Sequence, residues 1–212
     1  MPYDDAAAAA ARQFFGQTPA CYTLTATEFM STVTQPLIPI AFLKHSKECR
    51  DVVTHFEQGP QGGHAAHPYF CSAGACTVGY GHVVKPGESF IYPMSRAFAE
   101  TLMDNDLARF DREVRQLLTK LGVTHLTQGQ FDALVSMAFN LGTGTRDGRK
   151  GDLADSDLIN YVAAGRMIKA AEEIPKWKFA GGKILGGLIR RRRCELYLFT
   201  TGKVDYFLSK AR

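Results

Sequence analysis

The chain has 212 residues, 45% of them hydrophobic and 22% charged, with a formal net charge of +4. That is enough apolar material for a real core in one domain of one or two lobes, and it is the balance of an ordinary globular protein rather than a membrane-spanning one, since no stretch approaches transmembrane length. The small positive excess favours an anionic partner such as cell wall, membrane surface or nucleic acid.

The five cysteines, Cys21, Cys49, Cys71, Cys76 and Cys194, are odd in number and follow no regular framework. At least one thiol is therefore unpaired within a monomer, and synthesis in a reducing compartment is the simpler reading. The opening Met-Pro-Tyr-Asp-Asp is acidic where a secretory signal is basic, and the run from Ala6 to Ala11 is too short for its apolar segment. The expectation is a chain made in the cytoplasm without a signal peptide.

Residues 1–40 differ in character from the rest: an Ala-rich stretch ending in Phe14-Phe15, then a Thr-rich segment, then Pro36-Leu37-Ile38-Pro39-Ile40. They read as an N-terminal extension of unknown role. From Ala41 to Glu57 a helix is expected, with Leu43, Val52, Val53 and Phe56 towards a core and Glu57 at its end before Gly59-Pro60. Residues 58–68 are loop by composition. His64 and His67 lie in that loop without neighbouring cysteines or carboxylates, so a solvated loop is favoured over a metal site.

The segment Cys71-Ser72-Ala73-Gly74-Ala75-Cys76-Thr77-Val78-Gly79-Tyr80-Gly81-His82 reads as a hairpin. Alternation puts Thr77, Gly79 and Gly81 on one face and Cys76, Val78, Tyr80 and His82 on the other. Two glycines on one face suggest that something approaches closely there. With a three-residue loop and Gly74 left-handed, Cys71 pairs with Ala75 and shares the face of Thr77, whereas Cys76 points away, which argues against a disulfide between Cys71 and Cys76.

Ser95 caps a scaffold helix carrying Phe98, Leu102, Leu107, Phe110, Val114 and Leu117 at helical spacing. Thr127 and Gln130 form a capping box for a core helix through Phe131, Leu134, Val135, Ala138 and Phe139, which stops at Asn140-Leu141-Gly142. Residues 142–155 read as a surface loop, Ser156 starts another helix, and Gly181-Gly182-Lys183 with Gly186-Gly187 reads as a flexible cationic connection. The last helix, from about Leu188 to Phe199, opens with Arg190 to Arg193. Without interleaved aromatics these four arginines do not make a nucleic-acid site, and a solvated face with one arginine reaching an anionic ligand is favoured.

Glu57, Cys71, Thr77 and Gly79-Tyr80-Gly81-His82, in that order, resemble the signature of the phage-type lysozymes, the endolysins of glycoside hydrolase family 24. Leu126 to Gly142 and Gly187 to Phe199 agree with the same family, so the likeness runs from about Leu43 to the C-terminus. The thirteen residues between Glu57 and Cys71 exceed the family's usual interval. The surplus falls in the Gly/His/Pro loop, where insertions are tolerated. Glu57 ends the right helix, with Glu48 as the fallback.

The resemblance implies an α+β, lysozyme-like fold: a domain over 41–212 with a small β lobe at about 66–92 and a larger helical lobe at about 94–212. It implies a muramidase in which Glu57 is the general acid, Thr77 orients water and Cys71 stands where a carboxylate is often found, acting by single displacement with inversion. Gly79, Gly81 and Arg191 would contact substrate. His82 would pair with Asp106 for structure, not catalysis. No cofactor or metal is expected, and the partner is the peptidoglycan glycan strand, met by a monomer without nucleic-acid binding or membrane insertion. Such a chain would reach the wall after holin release, or through a secretion apparatus with an immunity protein as a further partner. A lytic transglycosylase and a non-catalytic wall-binding module are the alternatives.

Overall fold

A computed structural model describes residues 35–71, 74–145 and 151–205. Most of the N-terminal extension with Cys21, the turn residues Ser72 and Ala73, and positions 146–150 of the 142–155 loop lie outside the described residues. In chain order the elements are β1 (Ile38–Pro39), a 3-10 turn (Ile40–Phe42), α1 (Lys47–Phe56), β2 (Ala65–Phe70), β3 (Cys76–Gly79) and β4 (His82–Val83). There follow α2 (Arg96–Lys120), β5 (His125–Leu126), α3 (Gln128–Leu141), α4 (Asp157–Ala163), α5 (Met167–Glu173), a 3-10 turn (Ile174–Lys176), β6 (Phe179–Ala180), β7 (Lys183–Ile184) and α6 (Gly186–Thr201).

The core is built around α3. Thr127 accepts the amide of Gln130, and the Gln130 side chain accepts the amide of Thr127, so the capping box is closed. Phe131, Leu134, Val135 and Ala138 are buried, but so are Asp132 and Ser136 on other faces, and a helix covered on every side belongs at the centre. Gly129 is required by the crossing with α6: a Cβ there would lie 2.4 Å from the carbonyl oxygen of Leu198 and 2.7 Å from the Cα of Gly202. Helix α2, capped by Ser95, packs its buried Met103, Leu107, Phe110 and Val114 into the same core. The sheet β2-β3-β4 is antiparallel and rests on α2, so a small β lobe sits beside a larger helical one.

Two differences from the sequence expectation concern the entry to this core. Residues 38–40, which composition assigns to the extension, are part of the packed structure: Ile38 pairs with Leu126, Pro39 with His125, and the Ile40 amide donates to Thr124 O at 2.9 Å. The helix expected from Ala41 begins only at Lys47. Its predecessors are held extended by partners far along the chain: Arg115 donates to the Leu43 carbonyl, Gln128 to the Lys44 carbonyl at 2.8 Å, and the His45 amide donates to Asp111 Oδ1 at 3.0 Å. Residues 65–68 are likewise strand rather than loop, with Pro68 tolerated because β2 is an edge strand.

Candidate active site

Helix α1 positions Glu57 from both ends. At its start Ser46 accepts the amides of Glu48 and Cys49, while its own hydroxyl donates to Asp132 Oδ2 at 2.6 Å and its amide to Asp132 Oδ1 at 2.9 Å. Burial pushes the Asp132 carboxyl up to about 6, against the bonds from Ser46 and Gln128 that favour its anion. Along the helix Cys49, Val52 and Val53 face the core at i, i+3 and i+4. At its end Glu57 is the C-cap, its amide bonded to Val53 O at 2.9 Å and its side chain 21% exposed.

The carboxyl of Glu57 is fixed by Arg191 on α6. Arg191 Nη1 donates to Glu57 Oε1, its Nε donates to Glu195 Oε1 at 3.1 Å, and its Nη2 donates to the Ser136 carbonyl at 3.2 Å. Burial disfavours this guanidinium's charge, but Glu57 and Glu195 outweigh that and raise its pKa above the ordinary value. Glu195 is itself buried and receives the Ser136 hydroxyl at 2.7 Å. Arg192 Nε lies 2.9 Å from Glu195 Oε2, an ion-pair contact whose angle falls short of a hydrogen bond, and Arg192 Nη2 donates to Asn140 Oδ1 at 2.7 Å. The buried charges are thus paired in alternation, which is the condition for tolerating them in a core.

The hairpin faces this carboxyl. The Cys71 amide donates to Ala75 O at 3.0 Å, the Gly74 amide to Cys71 O at 2.8 Å, and Gly74 has φ 77°. Tyr69 stands opposite Thr77, so Tyr69, Cys71 and Thr77 share one face of the ribbon. Burial first, then the charges of Glu57 and Cys71, push the Tyr69 hydroxyl above its ordinary value. Thr77 is 2% exposed and its hydroxyl donates to Ala75 O at 3.0 Å. Gly81, at φ 80°, passes so close that a Cβ on it would lie 2.8 Å from Glu57 Oε2. Cys49, Cys71, Cys76 and Cys194 are all thiols.

Several residues stand elsewhere than the sequence suggests. Gly79 has φ 60°, which breaks the strand alternation, and its Cβ direction meets Ala99 and Met94 at 3.4 and 3.5 Å, so that side of it packs on α2. Arg191 is buried and held by two glutamates, so its guanidinium fixes the Glu57 carboxyl. The solvated arginine face is reduced to Arg190, exposed, and Arg193, half-buried, because Arg191 and Arg192 point into the core. Glu48 lies in the first turn of α1, at the opposite end from Arg191's grip.

His82 and Asp106 do come together, Nδ1 to Oδ2 at 2.7 Å, and Glu88 takes the other ring nitrogen at 2.9 Å. His64 bonds the Met94 carbonyl at 2.9 Å and His67 stacks on Tyr92 with centroids 6.1 Å apart. Among the described residues no three His, Cys, Asp or Glu side chains are grouped to hold a metal ion, and no helix is long and apolar enough to cross a membrane. Tyr69 and Glu195 are the site residues that sequence reasoning missed. Tyr69 had a signal, standing two residues before Cys71 on the same face; Glu195 had only its spacing of four from Arg191.

The phage lysozyme family model matches residues 60–195, a span that holds Cys71, Thr77, Gly81, His82, Asp106 and Arg191 and begins just after Glu57. The chain is 41% identical over 130 residues to the endolysin of Bacillus phage B103, covering 60% of this chain and 44% of that one, so it spans less than half the length of that relative. It is 33% identical over 135 residues to the endolysin of Acyrthosiphon pisum secondary endosymbiont phage 1, covering 62% of this chain and 84% of that one. Among solved structures it resembles an endolysin from Escherichia coli phage FAHEc1, with TM-score 0.62, 26% identity and coverage of 77% and 98% of the two chains. It also resembles the muramidase domain of SpmX from Asticaccaulis excentricus, with TM-score 0.58, 29% identity and coverage of 74% and 97%. With the family model matching well over half of it, the chain belongs to the phage lysozyme family.

Proposed function

We propose that the chain is a peptidoglycan hydrolase, a muramidase that cuts the β-1,4 link between N-acetylmuramic acid and N-acetylglucosamine. The observation that carries this reading is the Glu57 carboxyl, held at a helix end by a buried arginine and closely approached by Gly81 of the hairpin that carries Tyr69, Cys71 and Thr77 on one face. Glu57 acts as general acid and gives its proton to the leaving glycosidic oxygen as the bond to the anomeric carbon breaks. A water forms the new bond from the other side of the sugar in a single, inverting displacement. Thr77 can direct that water, because a hydroxyl that donates to Ala75 O still accepts through its lone pairs. The proton of that water passes to the Cys71 sulfur, which must stand as the thiolate, and returns through solvent to reprotonate Glu57 for the next turnover.

The endolysin names of the relatives favour a role in phage lysis over an antibacterial effector. A second reading, a lytic transglycosylase, draws on the thiol of Cys71 standing in place of a second carboxylate, since a single acid suffices for that chemistry. Mass spectrometry of digested sacculi separates the readings. Reducing muramic ends support hydrolysis, anhydro ends support transglycosylation, and no release of glycan fragments defeats both. Magnetic resonance of the first anomer formed tests inversion.

A further inference from the structure

The feature that the site does not absorb is the ribbon β6–β7. Gly181 and Gly182, with φ 56° and 73°, form its two-residue tip, and Leu185 N–H donates to Lys178 O at 3.0 Å to lengthen the ladder. The register pairs Phe179 with Ile184 and Ala180 with Lys183. Alternation then puts Lys178, Lys183 and Leu185 on one face, and Phe179 with Ile184 on the other. Residues 179–187 are exposed throughout, Phe179 and Ile184 at 55% and Leu185 at 43%.

From Ile174 to Cys194 there are seven basic residues and no acidic one. Lys176 is engaged by Glu173, Arg191 by Glu57 and Glu195, and Arg192 by Glu195. The two hairpin lysines stand diagonally across the strands, where like charges repel and a bound anion relieves them. Lys178 Nζ lies 5.9 Å from the Phe179 ring centroid, and Arg190 folds against Gly186 at the hairpin root. An isolated two-stranded ribbon is marginal in water, and exposed Leu185 between two lysines on one face is the composition of a contact surface.

Resting on the muramidase reading, we propose that this hairpin grips the stem peptide of peptidoglycan on its cationic face, Lys178 and Lys183 binding the peptide's carboxylates and Leu185 its aliphatic side chains. Location selects this occupant. Gly186 opens α6, and Arg191, which holds Glu57, lies five residues further on. The hairpin root therefore stands within roughly 20 Å of the scissile bond. The peptide hangs from the muramic residue that Glu57 acts upon, so the same strand can reach both places at once. A bilayer headgroup has no such tether.

The test uses Lys178→Gln with Lys183→Gln on two substrates: intact sacculi, and the same sacculi stripped of peptides by an amidase. On intact sacculi KM rises about fivefold or more, with kcat little changed and the melting temperature unmoved. On stripped strands the variant equals wild type. Co-sedimentation with the two kinds of sacculi, in the Glu57→Gln background, shows the same selective loss and does not depend on cleavage. Unchanged KM on intact sacculi, equal losses on both substrates, or a loss confined to binding of anionic phospholipid vesicles overturns the proposal. Selective sedimentation without cleavage by the unmutated chain would retain the peptide grip and reject the muramidase reading.

Discussion

Arg191 and Glu57 are 134 positions apart in sequence, and one guanidinium joins the end of α1 to the buried Glu195 and Ser136 on the far side. Removing it by Arg191→Ala leaves Glu57 without its cation and the fully buried Glu195 with Arg192 alone. Breaking such a pair destabilises by about 3 to 5 kcal/mol. Urea unfolding is expected to show that loss together with lower lytic activity. A variant with wild-type stability and rate would refute the positioning role.

Gly81 is the closest backbone to the Glu57 carboxyl. Gly81→Ala places a methyl group 2.8 Å from Oε2 and forces an L-residue to φ 80°. The backbone strain is about 1 to 2 kcal/mol. Displacing the acid lowers kcat by about a hundredfold, a much larger effect than the stability change alone accounts for. Steady-state rates alongside thermal melts check this, and a rate within twofold of wild type is the contrary result.

His82 sits between Asp106 and Glu88, and its hydrogen bond to Asp106 leads the causes that raise its pKa above the ordinary value, with burial opposing. A native pKa above the unfolded one gives stabilisation that is complete below about pH 6.5 and fades as pH rises through the native value. Asp106→Asn is therefore expected to lower stability more at pH 6 than at pH 9 while sparing turnover. Equal losses at the two pH values, or none, contradict this. His45, raised chiefly by its hydrogen bond to Asp111, adds to the same trend.

Ser46 caps α1 and also ties it to Asp132. Ser46→Ala removes both bonds, for a loss of about 1 to 2 kcal/mol. Denaturant midpoints measure it. Because Arg191 still holds Glu57, the rate falls less than in Arg191→Ala, and the reverse order would show that α1, not α6, fixes the acid.

What could be read from the chain alone follows the reach of the interactions. Thr127 with Gln130, Ser95 and Ser156 mark helix starts because capping is decided within four residues, and each caps the helix expected of it. The Cys71 to Ala75 register follows from the turn chemistry of Gly74. The start of α1 was out of reach, since the stretch 43–46 is held by Asp111, Arg115, Gln128 and Asp132, none of them local. The burial of Arg191 and Arg192 was equally hidden: a run of arginines reads as solvated until Glu57, Glu195 and Asn140 arrive from elsewhere. The packing of Gly79 on α2 was also hidden, because a glycine that allows close approach looks the same whether a helix or a ligand approaches.

The central claim is that Glu57 is the acid. Purified sacculi should be incubated with wild type and with Glu57→Gln, which keeps the shape of the side chain but cannot donate a carboxylic proton, while released reducing ends are counted. Wild type should release them, and Glu57→Gln should be slower by about a thousandfold or more while still sedimenting with the sacculi. Equal release by the two proteins would contradict the account.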